Sequence, residues 1–478
     1  MVCDNRGEQA DLLYVRCSDR VQVRDGKIWV PDGEKISTDT YMNVFDLRAW
    51  RRYTVVSEIA LAVWLQGRGI LKVLMQGQNS AAVCVKEERL NGGRGQLFRF
   101  PIPVNPADGI LYFEFCAEED TLLKAEYETD VDVPCMRKIK ISLIICTYKR
   151  KRQLEKILKA LPTSAAEDRP EDGGWLRTVI IDNASELKNG YGETVSVYHN
   201  PNTGGAGGFA RGMEETVRNL PQFPATHAVF MDDDVILQAE SLYRLRALLT
   251  YLREEYDGEV VAGRMFRLDK PHIQYTAAEI WNGGDLRHIG WNQDMTKRSC
   301  LWDMNQNEGA EYGGWWFACY PAAFVKKNRP LPFFLHCDDV EYGLRHGGTP
   351  IIWNGIQVWH ETYEYRQSPT IAYYDIRNSL FVNMLYGIPE NKNRMLTDWK
   401  DKISEQHGKG EYLTERMMIL GMADFLRGLK WLESINPEKN HQRILKKCHV
   451  LRLGNVVFWR VTWCRFLIKW GRKRKVDG

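Results

Sequence analysis

Up to about residue 137, hydrophobic positions recur in short alternating segments, at residues 12–16, 27–30, 53–65, 70–75, 82–86, 97–100 and 109–117. Successive side chains on a strand point to opposite faces, so a period of two predicts half-buried β-strands. Gln66-Gly67-Arg68-Gly69 and Asn91-Gly92-Gly93 interrupt the pattern as turns do. Short strands punctuated in this way predict an all-β sandwich over residues 1–137. Such a unit could bind carbohydrate, support oligomerisation or be a structural appendage, and the pattern does not separate these.

From Lys138 the texture changes. Residues 139–146 form a continuous apolar run, followed by Thr147-Tyr148-Lys149-Arg150 and an amphipathic helical pattern over 151–161. A second buried strand at 178–181 ends in Asp182-Asn183. A third, at 195–199, leads into Asn200-Pro201-Asn202-Thr203 and the glycine-rich run Gly204-Gly205-Ala206-Gly207-Gly208, then a helix over 210–218. A fourth apolar strand, 228–231, runs directly into Asp232-Asp233-Asp234. Strand, helix, strand, loop, helix, strand is the rhythm of an α/β domain with a parallel sheet, here spanning 138–370. Ligands of open α/β sheets bind outside the carboxyl ends of the strands, which is where the polar residues of this region gather.

From about Ile371 the pattern is mostly helical, including a periodic stretch at 413–434, and a helical domain over 371–478 is expected. Near the end Trp459, Trp463, Phe466 and Trp470 fall on one helical face, and Arg472-Lys473-Arg474-Lys475 follow. This segment reads either as an aromatic and basic helix resting at a membrane surface, peripheral to its cytoplasmic face, or as packing plus a solvated tail.

Composition narrows the class. A length of 478 residues suggests about three domains. A net charge of +3 implies no global field for nucleic acid. The start of the chain lacks the pattern of a signal peptide, and no apolar run is long enough to span a bilayer. The 11 cysteines are scattered without a C-x-x-C pair, which fits reduced thiols and a cytoplasmic setting.

The chemistry concentrates at a few places. Three adjacent carboxylates repel one another, so a strand end carrying Asp232, Asp233 and Asp234 calls for a compensating cation, and hard oxygen ligands suit Mg²⁺ or Mn²⁺. The alternative is a solvated acidic turn. Gly204–Gly208 could turn backbone N–H groups toward phosphate, or be a tight turn; it fits neither the Walker A nor the G-x-G-x-x-G pattern. Arg150 could pair with a diphosphate, while Asn183 and Asn202 could read a base and ribose or simply shape turns. Gly313-Gly314-Trp315-Trp316 places two indoles behind two glycines, and Asp338-Asp339 forms a second acidic cluster. Adjacent carboxylates can divide labour, one orienting an acceptor hydroxyl and the other removing its proton. Val358-Trp359-His360 offers an imidazole ligand for the same metal, and the lack of a second His four residues on excludes a zincin.

In this order, Thr-Tyr-Lys-Arg after a strand, Ile-Asp-Asn, Asn-Thr-Gly-Gly-Ala-Gly-Gly-Phe, Met-Asp-Asp-Asp, Gly-Trp-Trp, Asp-Asp-Val-Glu-Tyr-Gly and Trp-His resemble the family 2 inverting glycosyltransferases of GT-A fold. Within that class the chain is most similar to the polymerising galactofuranosyltransferases of bacterial cell-wall galactan synthesis. The resemblance implies a Rossmann-like GT-A domain between an N-terminal β-sandwich and a C-terminal helical region. It also implies that Arg150, Asn183, Asn202 and Asp232 contact a UDP-sugar, with Asp338, Trp315 and Trp316 at the sugar and acceptor pocket. Asp232, Asp234 and His360 would hold Mn²⁺ or Mg²⁺, and Asp339 would be the general base. Two positions depart from the family pattern: Cys337 stands where an aromatic residue is usual before the Asp pair, and Asn183 where a longer Gln is expected.

The implied activity is transfer of galactofuranose from UDP-galactofuranose to a hydroxyl of a glycan or lipid-linked glycan in cell-wall or surface polysaccharide synthesis. Alternatives are a family 2 transferase using rhamnose, galactopyranose or glucose, and a non-catalytic carbohydrate-binding protein. The sequence leaves open the acceptor, processivity and assembly into a homo-oligomer.

Overall fold

The computed structural model describes residues 12–453 apart from 25, 79, 103–108, 132–135, 163–173, 189, 364–367 and 389–391. The aromatic and basic tail anticipated beyond residue 454 lies outside the described residues.

The N-terminal region is β-rich, but two of its strands are longer than the punctuation suggests. Residues on either side of Gly67 belong to one strand, Ile59–Gly77, and those on either side of Gly92 to another, Val83–Ile102. These two pair with each other along their length in an antiparallel sheet of eight strands among the described residues. The free edge of Ile59–Gly77 changes partner midway. Ala60 to Gln66 pair with Thr121–Glu128, and Gly69 to Gly77 with Gly109–Ala117. Gly67 sits at the switch with φ +109°, and a Cβ there would meet Thr121 Oγ1 at 2.6 Å and the Asp120 carbonyl at 2.9 Å. Only glycine passes through such a crowded left-handed position, so it bulges a continuous strand instead of ending it. The folded sheet encloses Leu61, Val63, Leu71, Val73, Phe113, Phe115 and Leu123. Residues 12–16 form turns with a single bridge from Arg16 to Ser37, where a strand was expected.

Among the described residues the central sheet has ten strands and mixed direction. Its parallel part has the spatial order Val195–His199, Leu176–Asp182, Ile141–Thr147 and His227–Asp232. The anticipated all-parallel character stops there. Ala318–Pro321 lies antiparallel between His227–Asp232 and Val261–Arg267, and Ile351–His360 then runs parallel to Val261–Arg267. Register places Asp182 opposite both Thr147 and His199, and Asp232 opposite Cys146. The strand-end residues are therefore brought to one edge. Ile351–His360 is buried along its whole length, as a strand covered on both faces must be.

Helix Gly204–Arg218 covers the parallel strands and starts at the glycine run itself, six residues earlier than the expected 210. Gly208 and Gly212 face the sheet, where Cβ atoms would lie 2.1 Å from Cys146 Sγ and 2.2 Å from Ile144 Cγ2. The glycines thus let helix and sheet approach closely. The C-terminal region is helical: Pro369–Tyr386, Lys392–Gly408, Tyr412–Phe425, Leu429–Ser434 and Pro437–Leu453. Ile376, Leu380, Phe381, Met418 and Met422 share a core with Phe333, Cys337 and Val340. The helices therefore pack directly against the segment that carries the second acidic cluster. Among the described residues no helix is long and apolar enough to cross a membrane.

Candidate active site

A cleft of about 1140 Å³ opens at the carboxyl edge of the parallel strands and extends to the C-terminal helices. Arg150, Asn183, Asn202, Asp232, Asp234, Trp315, Trp316, Asp338, Asp339 and His360 all line it, so residues spread over more than two hundred positions converge on one space.

On one side, Asp232 ends its strand, Asp234 lies just beyond, and His360 closes Ile351–His360. His360 Nε2 stands 3.0 Å from Asp234 Oδ1 and 3.6 Å from Asp232 Oδ2, and the three ligand atoms lie within 4.8 Å of one another. Two carboxylates and one imidazole form a donor set that suits a divalent ion, with the nitrogen favouring Mn²⁺ over Mg²⁺. The expected trio is thus brought together in space as a group that could hold a divalent cation. Arg150 Nη1 bridges Asp233 Oδ1 at 2.9 Å and Asp234 Oδ2 at 2.7 Å, neutralising part of the triplet.

Asn183 and Asn202 line the cleft with their side chains engaged by the protein. Asn183 Nδ2 donates to the Gly204 carbonyl at 2.9 Å, and its Oδ1 accepts from Asn200 Nδ2 at 2.8 Å. Asn202 Oδ1 accepts from the Gly204 N–H at 3.2 Å. Both fix the turn before the glycine helix, which is the turn-shaping role their residue type allows. Asp182 caps its own loop, accepting from the N–H groups of Ala184 and Leu187.

Trp315 and Trp316 are only 4% and 1% exposed, so they form the floor of the cleft more than a wall. Trp315 packs edge-on against Phe209, Phe230 and Tyr342, and Trp316 Nε1 donates to the Gly263 carbonyl at 2.8 Å.

The second acidic cluster opens helix Asp338–His346. Burial, the adjacent Asp338 and Glu279 push the Asp339 carboxyl well above the ordinary range, and burial raises Asp338 as well. The preceding loop is strained: Phe334, His336 and Cys337 have φ of +77°, +63° and +62°. Non-glycine residues hold such angles only where their surroundings over-determine them. Here helix Pro369–Tyr386 does so. Buried Asn378 donates Nδ2 to the carbonyls of Leu335 at 2.7 Å and His336 at 2.9 Å, and Arg377 Nη2 donates to that of Phe333 at 2.5 Å. From the other side Gly204, at φ +70°, abuts Phe334, where a Cβ would lie 2.0 Å from the carbonyl oxygen.

Several cleft residues escaped the sequence reading. Glu279 is 1% exposed, accepting from Tyr312 Oη at 2.6 Å and pairing with His288 Nδ1 at 2.8 Å. Asn282-Gly283-Gly284-Asp285 is a hairpin signal that sets Glu279 opposite His288, so this pair was open to inference. Trp281 Nε1 donates to Asn383 Oδ1 at 2.8 Å, which ties that hairpin to the helical region. His336 and Asp375 meet at 2.5 Å across segments whose contact no local pattern signals.

With this geometry in place, the chain can be set beside known proteins. Residues 5–130 match the family model described as galactofuranosyltransferase 2 N-terminal. The galactofuranosyltransferase GlfT2 of Mycolicibacterium smegmatis is 24% identical over 434 residues, covering 85% of this chain and 66% of that protein. That of Mycobacterium tuberculosis is 25% identical over 441 residues, covering 84% and 66%. The chain is a relative of the GlfT2 galactofuranosyltransferases. It spans 66% of the length of these curated relatives. Among solved structures, one titled "CBM4 structure and function" shares 15% identity over 24% of this chain and 78% of its own, with a TM-score of 0.19. A likeness that slight bears on neither fold nor function.

Proposed function

We propose that this chain is a metal-dependent inverting glycosyltransferase of GT-A type that moves galactofuranose from UDP-galactofuranose to a hydroxyl of a glycan or lipid-linked glycan. The single observation that carries the reading is the meeting, in one cleft, of the Asp232–Asp234–His360 trio with the Asp338–Asp339 pair. The relatives' name supports galactofuranose as the sugar.

On this reading the donor diphosphate lies beside Arg150 and the start of helix Gly204–Arg218, whose dipole favours anions. Asp232, Asp234 and His360 hold Mn²⁺ or Mg²⁺, which when bound offsets the negative charge of the UDP leaving group. Asp339 accepts the proton of the acceptor hydroxyl as its oxygen attacks the anomeric carbon. The bond from that carbon to the UDP oxygen breaks on the opposite face, and its electron pair leaves with UDP. One displacement inverts the anomeric centre, and no covalent glycosyl-enzyme is required. Asp338, next in chain to the base, orients the acceptor. A raised carboxyl pKa suits a base that must take a proton near neutral pH.

The test is UDP release by purified protein with Mn²⁺ or Mg²⁺ and a donor panel of UDP-galactofuranose, UDP-galactopyranose, UDP-glucose and dTDP-rhamnose, each with a galactofuranosyl acceptor. Metal-dependent turnover confined to UDP-galactofuranose is expected. Turnover with another donor would overturn the sugar assignment and keep the reaction type.

A further inference from the structure

Two carboxyls side by side at the wall of a cleft repel one another, and burial makes the repulsion worse. A base that must be ionised in that setting needs a cation close by. His336 supplies one. It lies two residues before Asp338 in the strained loop, lines the cleft and is about a third exposed. Its Nδ1 meets Asp375 Oδ1 at 2.5 Å, from the same helix that clamps the loop backbone through Arg377 and Asn378. Burial works against charge on the imidazole, but Asp375, Asp338 and Asp339 more than reverse this and raise its pKa to about 9. In return His336 favours the ionised form of both aspartates.

The groups acting on His336 come from each neighbouring element: Asp375 from Pro369–Tyr386, and Asp338 and Asp339 from Asp338–His346. The ring of Tyr363 stands edge-on at 6.4 Å. Glu279 adds negative charge at Asp339, and the nearby Arg377 is committed to the Phe333 carbonyl, Asn378 and Tyr373.

We infer that His336 is a positioning residue for the acidic pair: its imidazolium, tethered by Asp375, is the local cation that holds Asp339 in the ionised form from which it can accept a proton. This rests on the reading of Asp339 as the base and adds to it a chain, Asp375 to His336 to Asp339, joining the helical region to the chemistry.

The experiment is the pH dependence of UDP release, from about pH 5.5 to 9.5, in three variants. His336→Asn keeps a residue type that tolerates the left-handed backbone and removes the charge. His336→Lys keeps the charge and removes the ring, and Asp375→Asn removes the tether. Loss of the cation makes Asp339 harder to ionise, so His336→Asn should move the acid limb of kcat/KM up by about one pH unit, roughly tenfold lower turnover on that limb. The alkaline plateau and UDP affinity should stay near wild type. His336→Lys should return the acid limb to its original place. In Asp375→Asn the imidazolium gives up its proton more readily, so the acid limb should move in the same direction as in His336→Asn and by no more. An acid limb unmoved in His336→Asn, or a Lys variant that behaves like the Asn variant, would overturn the inference. Asp339→Asn measured alongside separates the two claims. If it turns over normally, the base assignment has failed; if it is inactive while the His336→Asn limb is unmoved, only the role of His336 has failed.

Discussion

Replacing Gly204 by Ala tests whether the glycine run matters through packing. At φ +70° an alanine incurs about 1–2 kcal/mol of left-handed strain. The new Cβ would lie 2.0 Å from the Phe334 carbonyl oxygen and 2.6 Å from its carbon, both backbone atoms with no side-chain freedom to yield. Overpacking of that kind adds about 1–3 kcal/mol, giving a loss of about 3 kcal/mol. For a cooperative unit of the size of the central domain, this lowers the melting temperature by roughly 6–12 °C. The neighbouring position supplies the control. A Cβ on Gly205 meets Asp338 Oδ2 at 3.7 Å and the Phe334 carbonyl oxygen at 4.0 Å, both ordinary contacts, with no positive φ, so Gly205→Ala should be neutral or stabilising by up to about 1 kcal/mol. Thermal unfolding followed by circular dichroism would compare the two, with UDP release measured at a permissive temperature. Because Phe334 leads into Asp338 and Asp339, Gly204→Ala should also lower kcat. Equal melting temperatures for the two variants would refute the packing argument.

Other outcomes follow from the same structure. His360→Ala removes the nitrogen donor from a three-residue set, so Mn²⁺ affinity measured by calorimetry should fall at least about tenfold with the fold intact; unchanged affinity would mean the ion binds elsewhere. Arg150→Ala leaves Asp233 and Asp234 without the cation that bridges them, and should weaken UDP binding through loss of the diphosphate partner; unaltered UDP affinity would remove Arg150 from the donor site. Buried His227 has its pKa lowered from 6.5 to about 4, chiefly by burial and then by Arg137. Its stabilising contribution is complete above pH 6.5 and lost as pH falls through 4, on the order of 3 kcal/mol in all. His227→Gln should therefore flatten that part of the stability–pH curve, and an identical curve would show that His227 is not the group responsible.

What could be read from sequence divides along physical lines. Apolar runs ending in polar residues marked the parallel strands and hence the edge where Arg150, Asn183 and Asp232 gather, because burial on both faces leaves a continuous hydrophobic signal. Residues such as Asp234, His360 and Asp339 were legible as chemistry, and the fold places them around one cleft. Glycines misled in both directions. Gly67 and Gly92 look locally like turns yet lie within long strands, and Gly204 to Gly208 look like a loop yet form the first turns of a helix. At Gly67, Gly92, Gly204 and Gly208 a close approach that only glycine permits overrode local propensity, and such approaches are tertiary facts. The antiparallel insertion of Ala318–Pro321 was hidden because four residues carry too little periodicity to reveal strand direction. His336 and Asp375 meet across 39 positions, so their pairing appears only once the helical region is docked on the sheet, whereas the hairpin that sets Glu279 opposite His288 is a local signal.

The most direct test of the central claim is a side-by-side measurement of transfer and UDP affinity in wild-type protein and Asp339→Asn, with UDP-galactofuranose, Mn²⁺ and a galactofuranosyl acceptor. If Asp339 is the base opposite a separate donor site, turnover should fall roughly a hundred- to ten-thousand-fold while the UDP Kd stays within about twofold. Near-normal turnover in the variant, or loss of UDP binding together with activity, would contradict the account.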